Sequence, residues 1–356
     1  MVSISLCMIV KDEEAVLARC LDSVQGIADE IVIVDTGSAD RTREIAAGYG
    51  RVLDFAWCDD FSAARNFSFG QASKDYVLWL DADDVIVPVD RERFLALKAQ
   101  LDGTEDVVML PYHTAFDGTG RPVFTYYRER LIRRLSGLSF RGAVHEAVAP
   151  VGNVVTWDGA AISHRKTRPG DPDRNLRIFE GLLSQGKELS PREQFYYARE
   201  LAAHGRDEEA AWLFEEFLST GRGWVENQLQ ACRDLSGCLL RMGKPEEAFT
   251  ALAAALRYGP PRAELCCDLG QFFFHKGDYP TAAFWYETAL SRPRPDQTGA
   301  FVSPDCYGFL PCIQLCVCYY RMGEEGLARE YNRRAGNCKP DNEAFLYNER
   351  FFRGEL

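Results

Sequence analysis

The sequence predicts an α/β domain with a mostly parallel sheet, followed by an all-α domain of tandem helical repeats. Three observations lead to this prediction. Over the first 165 or so residues, short apolar runs typical of strands alternate with segments that carry apolar residues at helical spacing, as in doubly wound sheets. After Arg165 the strand signal disappears. A short sequence motif that starts with glycine then recurs at intervals of 34 to 46 residues between apolar helices, which indicates stacked helix pairs.

The predicted elements of the first part follow one another with short turns. Strands are predicted over residues 3–10, 30–34, 51–57 and 76–80, and helices over residues 13–24, 40–49 and 63–72. From residue 107 the pattern changes to hairpins, with strands predicted over residues 107–116, 123–135 and 154–163. The parallel sheet is therefore expected to acquire an antiparallel annex, which makes it a mixed, Rossmann-like sheet.

The second part follows a loop over residues 166–172 that is rich in proline, glycine and charge. The recurring motif begins with glycine and ends with alanine, and it occupies residues 205–210, 243–248, 277–282 and 323–328. Successive alanines are 38, 34 and 46 residues apart, and the longest interval is attributed to an insertion at residues 293–305. A period of about 34 residues with glycine in the turn is typical of tetratricopeptide repeats.

Such repeats usually bind peptides or other subunits, although a platform that only stabilises the chain is an alternative. The expected domains are an α/β domain, a linker with a helix, the repeats and a tail, over residues 1–170, 171–190, 191–345 and 346–356.

Composition and charge exclude some classes of function. The net charge is −12 and no basic cluster with interleaved aromatic residues is present, so a nucleic-acid partner is not expected. The twelve cysteines are scattered without a CxxC pair, which favours reduced, buried thiols over a disulfide or zinc framework. Because the sequence shows neither a signal peptide nor an apolar run of membrane-spanning length, a cytoplasmic protein without a transmembrane segment is expected.

The stretch from Tyr76 to Asp84 carries the main indication of a functional site. An apolar run typical of a buried strand ends in three acidic residues within four positions, Asp81, Asp83 and Asp84. Crowded carboxylates repel one another, and a divalent cation with oxygen ligands commonly compensates. Since ligands of open α/β sheets bind beyond the carboxyl ends of strands, the pattern predicts metal-assisted transfer from a phosphate-bearing donor. An acidic loop that caps the next helix is the alternative.

Four motifs lie in an order and spacing that is specific in combination, at residues 8–14, 33–42, 64–66 and 79–83. Through these motifs, residues 1–165 resemble family 2 glycosyltransferases of the GT-A fold. The resemblance implies a UDP-sugar as donor substrate and Mn²⁺ or Mg²⁺ as cofactor. With its repeats the chain resembles a bacterial subset that includes peptide S- and O-glycosyltransferases of the sublancin type. Similar front halves occur in lipopolysaccharide-core glucosyltransferases.

The resemblance implies that the ends of the first two strands contact the nucleoside. Asp35 would accept the imide hydrogen of uracil. Further contacts would come from the carboxylate of Glu13 and from the backbone of Ile9, Val10 and Lys11. From the residues alone two alternatives stay open, since Glu13 also suits the start of a helix and Asp35 suits a helix N-cap.

A second group of residues is expected at the diphosphate and the sugar. Arg65 would brace the diphosphate or the sugar hydroxyl groups, with an ion pair to a neighbouring aspartate as the alternative. Asp83 would bind the metal directly. Asp81 would meet the ribose or the sugar, or reach the metal through water, with Ala82 beside it at the donor. Asp84 is expected to be structural.

Candidates for the chemistry lie in the annex. Residues 141–146 resemble an Arg-x-x-x-His-Glu segment that the family places near the acceptor, and Glu146 is predicted to be the general base, with His145 as its substitute. The resemblance also implies that His164 completes the metal shell, as a late histidine does in many GT-A enzymes, and imidazole nitrogen suits Mn²⁺; a surface histidine is the alternative.

Together with these residues, the resemblance implies an inverting, metal-dependent transferase that moves a hexose or N-acetylhexosamine from a UDP-sugar to a protein or peptide. A glycan or lipopolysaccharide-core acceptor is the alternative. A rival of another class is a non-catalytic repeat scaffold that carries a degenerate transferase domain. A homodimer through the repeats is a further expectation, based on aromatic residues predicted to be exposed there, Phe272, Phe274 and Trp285. Residues 166–173 are expected to close over the donor.

Overall fold

A computed structural model describes residues 2–295 and 301–356 of the chain. It divides into two compact units, Met1–Glu193 and Gln194–Leu356. Of the insertion predicted at residues 293–305, positions 296–300 lie outside the described residues.

The first unit contains eleven strands and five helices among its described residues. The strands are β1 Ile4–Val10, β2 Glu30–Asp35, β3 Arg51–Asp54, β4 Tyr76–Trp79, β5 Asp84–Val85, β6 Val107–Phe116, β7 Pro122–Arg133, β8 Phe140–Arg141, β9 Ala147–Val148, β10 Val154–Thr156 and β11 Ile162–His164. The helices are α1 Leu17–Ser23, α2 Thr42–Ala47, α3 Phe61–Gly70, α4 Pro88–Gln100 and α5 Arg174–Ser184.

The main sheet has the strand order β3-β2-β1-β4-β7-β6-β11-β5, and β10 also pairs with β6. Strands β3, β2, β1 and β4 are parallel, whereas β7 runs antiparallel to both of its neighbours, which confirms the mixed sheet. Val10 lies opposite Asp35, and Cys7 lies opposite Trp79. The carboxyl ends of β1, β2 and β4 therefore meet at one edge, where Asp35 and the acidic motif lie.

The strand predicted over residues 154–163 is wrong in two respects. It is two short strands, because the polar turn at Asp158 and Gly159 interrupts it. Each part pairs with a different stretch of β6, β10 with its beginning and β11 near its end, and both pairings are parallel rather than antiparallel. The predicted helix over residues 13–24 also begins late, at Leu17, because the preceding backbone N–H groups of residues 12–14 bond to side chains of residues 38–42.

Among the described residues the second unit has nine helices, of which the first eight form four consecutive pairs, each joined by a short turn, and the ninth follows the last pair. They are α6 Pro191–Ala203, which crosses the boundary between the units, α7 Asp207–Ser219, α8 Val225–Arg241, α9 Pro245–Ala254, α10 Ala263–His275, α11 Tyr279–Leu290, α12 Phe309–Arg321, α13 Glu325–Cys338 and α14 Glu343–Phe352. The predicted tail over residues 346–356 thus includes most of α14.

The recurring motif marks the turn within each of the four helix pairs, as predicted. The four glycines have φ values between 73° and 81°, a left-handed conformation that ends the first helix at little steric cost, at Gly205, Gly243, Gly277 and Gly323. The four alanines that follow have no exposed surface, so the paired helices approach closely there, at Ala210, Ala248, Ala282 and Ala328. The second unit is therefore a tetratricopeptide-like repeat domain.

Other expectations for the chain have mixed outcomes. The twelve cysteines are free thiols and ten of them are buried, as predicted. The aromatic residues expected on the repeat surface are instead half-buried: Phe272 stacks on Phe249 at 4.7 Å between ring centroids, while Phe274 and Trp285 pack against buried core residues. Within the described part of the chain, no helix combines the length and the apolar character needed to cross a bilayer.

Candidate active site

Asp35 ends β2 at the carboxyl edge of the sheet and is 2% exposed. Its Oδ2 accepts hydrogen bonds of 3.1 Å from the backbone N–H groups of Gly37 and Ser38, and the Arg43 guanidinium lies 3.6 Å away. The other oxygen, Oδ1, is buried and has no hydrogen-bond donor among the described residues. A buried, unpaired acceptor is costly, so this oxygen is suited to a ligand N–H. The helix-cap alternative is not seen, because α2 begins at Thr42 without a side-chain cap.

Asp83, Asp84 and His164 form a group of potential metal ligands whose ligating atoms lie within 4.8 Å of one another. Pairing of β5 with β11 brings them together, since His164 lies opposite Asp84 in that register. The His164 Nδ1 atom is 3.3 Å from an Oδ1 of each aspartate. Hydrogen bonds to Asp83 and then to Asp84 raise the pKa of His164 to about 10. An environment that favours a cation on the imidazole also suits a divalent metal, and the oxygen and nitrogen donors fit Mn²⁺ or Mg²⁺.

Asp84 is fully buried, and both oxygens of its carboxylate have partners. Its Oδ1 accepts a 2.8 Å hydrogen bond from the Tyr112 hydroxyl. Its Oδ2 accepts one of 3.0 Å from the backbone N–H of Asp81 and is paired with Arg130 at 3.1 Å. Arg130 has no exposed surface and lies between two rings, 3.9 Å from the centroid of Trp79 and 4.2 Å from that of Tyr112. Asp84 therefore holds the turn of the acidic motif in place.

Arg65 links the acidic motif to the predicted base. From α3 its NH2 group donates to Asp81 Oδ1 and its Nε donates to Glu146 Oε1, both at 2.6 Å. The guanidinium packs on the rings of Trp79 and Phe140 at 4.7 and 5.3 Å. Burial favours a raised pKa of Asp81, but the charges of Arg65 and then Arg130 outweigh it and hold that pKa below its usual range. The ion-pair alternative for Arg65 is thus what is observed, and it places Arg65 at the site.

The loop that carries Glu146 is held by the neighbouring helices. His145 has a φ of 53°, a left-handed conformation that is uncommon outside glycine. Its backbone oxygen accepts hydrogen bonds from Arg192, at 3.0 Å for NH2, and the Ala143 oxygen accepts one of 2.9 Å from Phe61 N at the start of α3. The side chain of Glu146 is 13% exposed and reaches Arg65. Of the two candidates for the base, the structure joins Glu146 to the acidic motif through Arg65.

Glu13 lies near the acidic motif, under the segment that follows β11. Burial raises the pKa of Glu13, Arg168 opposes the rise and Asp83 adds to it. The Arg168 guanidinium lies 3.7 Å from the Glu13 carboxylate and donates to the backbone oxygen of Asp12. The backbone N–H of Arg165 donates to the backbone oxygen of Asp83 at 2.8 Å. Residues 165–168 therefore pass over the acidic cluster as a strap.

The remaining predicted donor contacts lie beside these groups. Ile9 and Val10 end β1 in register with β2, and the Val10 oxygen accepts hydrogen bonds from Thr36. Lys11 is exposed just beyond the strand, and Ala82 is buried within the acidic turn. These four residues therefore lie at or just beyond the carboxyl ends of β1 and β4, the edge of the sheet that also carries Asp35.

Comparison with known proteins assigns the first unit to a family. The sequence profile described as "Glycosyl transferase family 2" matches residues 5–145, from β1 to the residue before Glu146. The chain belongs to glycosyl transferase family 2. A TPR repeat-containing protein of Synechococcus elongatus is 30% identical over 348 residues, which cover 96% of this family 2 chain and 76% of that protein.

Two further relatives are named as glycosyltransferases. The SPbeta prophage-derived glycosyltransferase SunS of Bacillus subtilis is 26% identical over 227 residues, 58% of this chain and 51% of SunS. The lipopolysaccharide core biosynthesis glycosyltransferase LpsC of Rhizobium meliloti is 32% identical over 163 residues, 42% of this chain and 58% of LpsC. The family 2 chain therefore spans about half of SunS and less than two thirds of LpsC.

Two arginines of the family 2 site, both on β7, were not predicted from the sequence. Arg130 pairs with Asp84. The guanidinium carbon of Arg128 lies 5.0 Å from the centroid of the Trp79 ring. With Arg65, these cations surround the carboxylate of Asp81. The signal was present in the run from Arg128 to Arg133, where charged residues occupy a predicted strand and therefore required buried partners. Tyr112, on β6, gave no comparable signal.

Proposed function

We propose that this chain is an inverting, metal-dependent glycosyltransferase that moves a hexose or N-acetylhexosamine from a UDP-sugar to a protein or peptide acceptor. The observation that carries the proposal is the link from Asp81 through Arg65 to Glu146, next to the group of Asp83 and His164. The link supports the proposal because it connects the acidic motif, which would lie at the leaving group, with the carboxylate that would take the acceptor proton. Membership of family 2 supports the glycosyl transfer itself.

The donor would lie along the carboxyl edge of the sheet. Asp35 Oδ1 would accept the uracil N–H, and Glu13 with the end of β1 would contact the nucleoside. Asp83 and His164 would hold Mn²⁺ or Mg²⁺, which when bound supplies Lewis-acid stabilisation of the leaving diphosphate. Arg65 orients Asp81, which would meet the ribose or the sugar.

The transfer would proceed by one displacement. The acceptor atom forms a bond to the anomeric carbon from one face while the bond to the diphosphate oxygen breaks on the other. Glu146 takes the acceptor proton, with its orientation fixed by the hydrogen bond from Arg65 Nε, and UDP leaves. Since the attack is from the opposite face, an α-linked donor gives a β-linked product.

The acceptor is proposed from the second unit. A repeat domain with stacked helix pairs presents surfaces that suit a peptide. A glycan acceptor is the second candidate, and the similarity of the first unit to a lipopolysaccharide core biosynthesis enzyme favours it.

The test is UDP release from a panel of UDP-sugars, with and without Mn²⁺, together with calorimetry of UDP binding. We expect metal-dependent release from one preferred sugar, even with water as the acceptor. Absence of both release and UDP binding would refute the transferase proposal and favour the scaffold with a degenerate domain.

Asp35→Asn should weaken UDP binding by about tenfold or more. The amide can still accept from Gly37 and Ser38, but it has only one oxygen, so a donor NH₂ then faces the uracil N–H and the loss is about 1–3 kcal/mol. Calorimetry with UDP measures it. Asp102→Asn, at an exposed loop position, is the matched control, and equal affinities for the two variants would contradict the role of Asp35.

Replacing residues 166–173 by a short glycine linker should lower kcat/KM for the preferred donor by about tenfold or more. The replacement removes Arg168 from its contacts with Asp12 and Glu13, and a segment that closes over a donor excludes water and fixes the donor. The control is the same kind of replacement in the exposed turn at residues 117–120. Unchanged kcat/KM in the variant that lacks residues 166–173 would show that these residues do not act on the donor.

A further inference from the structure

The first helices of successive pairs in the repeat domain are joined by ion pairs. Arg199 Nε of α6 lies 3.1 Å from Asp234 Oδ2 of α8. Arg233 of α8 pairs in turn with Asp268 of α10. We call the surface formed by α6, α8 and α10 the inner face.

Part of the insertion between α11 and α12 returns to this inner face. Residues 301–308, called here the inserted segment, contain a 3-10 turn at Pro304–Tyr307. The ring of Phe301 lies 6.0 Å from that of Phe195 on α6, and the Arg199 guanidinium lies 5.3 Å from the same ring. Phe301 also lines a cavity of about 30 Å³ beside α8 and α10. Phe301, which lies between α11 and α12 in the chain, thus packs on the inner face at α6.

The inserted segment also satisfies a buried carboxylate on α10. Glu264 is 3% exposed, so its charge requires hydrogen-bond donors. Its Oε1 accepts a 2.7 Å hydrogen bond from the backbone N–H of Ser303, and its Oε2 accepts one of 2.9 Å from the Tyr307 hydroxyl. A backbone N–H is a donor that any extended peptide offers at a non-proline position. The inner face therefore recognises its own segment through features that a separate peptide also has.

The two ends of the inserted segment are held differently in the described part of the chain. Cys306 and Tyr307 pack in a hydrophobic core with residues of α10, α11 and α12, and the Cys267 thiol donates to the backbone oxygen of Cys306, so this end is fixed. Asp305 pairs with Lys339 at 2.7 Å, and both side chains are 45% exposed, so this pair adds little. Phe301 and Ser303 lie toward the other end, where displacement would expose the inner face.

We propose that the inserted segment is a built-in ligand of a peptide-binding groove on the inner face, and that an extended peptide with an aromatic side chain displaces it. The recognised peptide has an aromatic residue in the place of Phe301, a free backbone N–H two positions later and a hydroxyl donor for the second oxygen of Glu264. Because the built-in ligand is tethered, it acts at a high effective concentration, and a free peptide binds with its affinity reduced by the fraction of open groove.

The test uses a fluorescent peptide of residues 301–308 that carries Cys306→Ser, with binding to the full chain followed by anisotropy. The double variant Phe301→Ala with Tyr307→Phe removes the two side-chain anchors and keeps the chain length. We expect it to bind the peptide at least tenfold more tightly than the unaltered chain does. A peptide with alanine in the place of Phe301 should bind at least tenfold more weakly, as should the double variant with Glu264→Gln added.

The matched control is Phe284→Ala, which removes an exposed phenylalanine of α11 and should bind the peptide as the unaltered chain does. If the double variant loses cooperative helix unfolding, hydrogen exchange on the unaltered chain decides instead, since excess peptide should speed exchange of the Ser303 amide. A folded double variant that fails to bind would overturn the proposal, as would unchanged exchange in that second measurement. Neither readout involves a sugar donor, so the outcome is independent of the proposed transferase activity.

Discussion

Asp83→Ala is expected to lower metal-dependent UDP release by at least about 100-fold, which corresponds to about 2.7 kcal/mol of lost transition-state stabilisation. Asp83 and His164 are the partly exposed members of the candidate metal group, whereas Asp84 is engaged by Tyr112 and Arg130. When the Asp83 carboxylate is lost, the only carboxylate that remains in this group is the buried one of Asp84. The residual activity should no longer respond to added Mn²⁺.

The controls separate loss of the metal site from loss of structure. Asp102→Ala, at an exposed position away from the site, should keep full Mn²⁺-dependent release. UDP affinity measured in a chelator should be retained in Asp83→Ala, while the gain in affinity on adding Mn²⁺ disappears. An Asp83→Ala protein that keeps its Mn²⁺ response would show that the metal is held elsewhere, and the assignment of Asp83 would be wrong.

Glu146→Gln is expected to reduce kcat by about 10²–10⁴-fold, the usual contribution of a positioned general base. Glutamine can still accept the hydrogen bond from Arg65 Nε, so the position of the side chain is kept while its capacity to take a proton is lost. The donor KM should therefore change little. The measurement is UDP release with the preferred donor over a range of pH.

The pH profile distinguishes a base from a positioning residue. The unaltered chain should lose rate toward low pH as the base becomes protonated, and Glu146→Gln should lack that limb. His145→Gln should keep it, and Glu92→Gln, on the exposed side of α4, should behave as the unaltered chain. If His145→Gln loses the limb instead, the two predicted roles are exchanged.

Much of the fold was predictable because local signals agree with the global arrangement. The turn glycines of the repeats require a left-handed φ, and the small alanines after them allow close helix contact, so both are readable from spacing alone. The parallel half of the sheet was readable from alternating strand and helix patterns. The parallel pairing of β10 and β11 with β6 was not readable, because their partners on β6 are distant in the sequence.

The candidate site was predictable where its residues follow strands directly. Asp35 ends β2 and Asp83 lies four residues beyond the end of β4, and parallel strands bring such positions to one edge. Arg128 and Arg130 were not predicted, since only the pairing of β7 with β4 turns them toward the acidic motif. Similarly, the contact between His164 and Asp84 depends on the short pairing of β11 with β5.

The sequence by itself determined the two-part organisation, the edge of the sheet that carries the site and the family of the first unit. These depend on chain order, periodicity and residue type, which are local properties. Only the tertiary structure decided that Arg65 joins Asp81 to Glu146, that Asp84 is held by Tyr112 and Arg130, and that Phe301 lies against Phe195. Each of these contacts joins residues distant in the chain, and burial and charge compensation select such contacts only after the chain has folded.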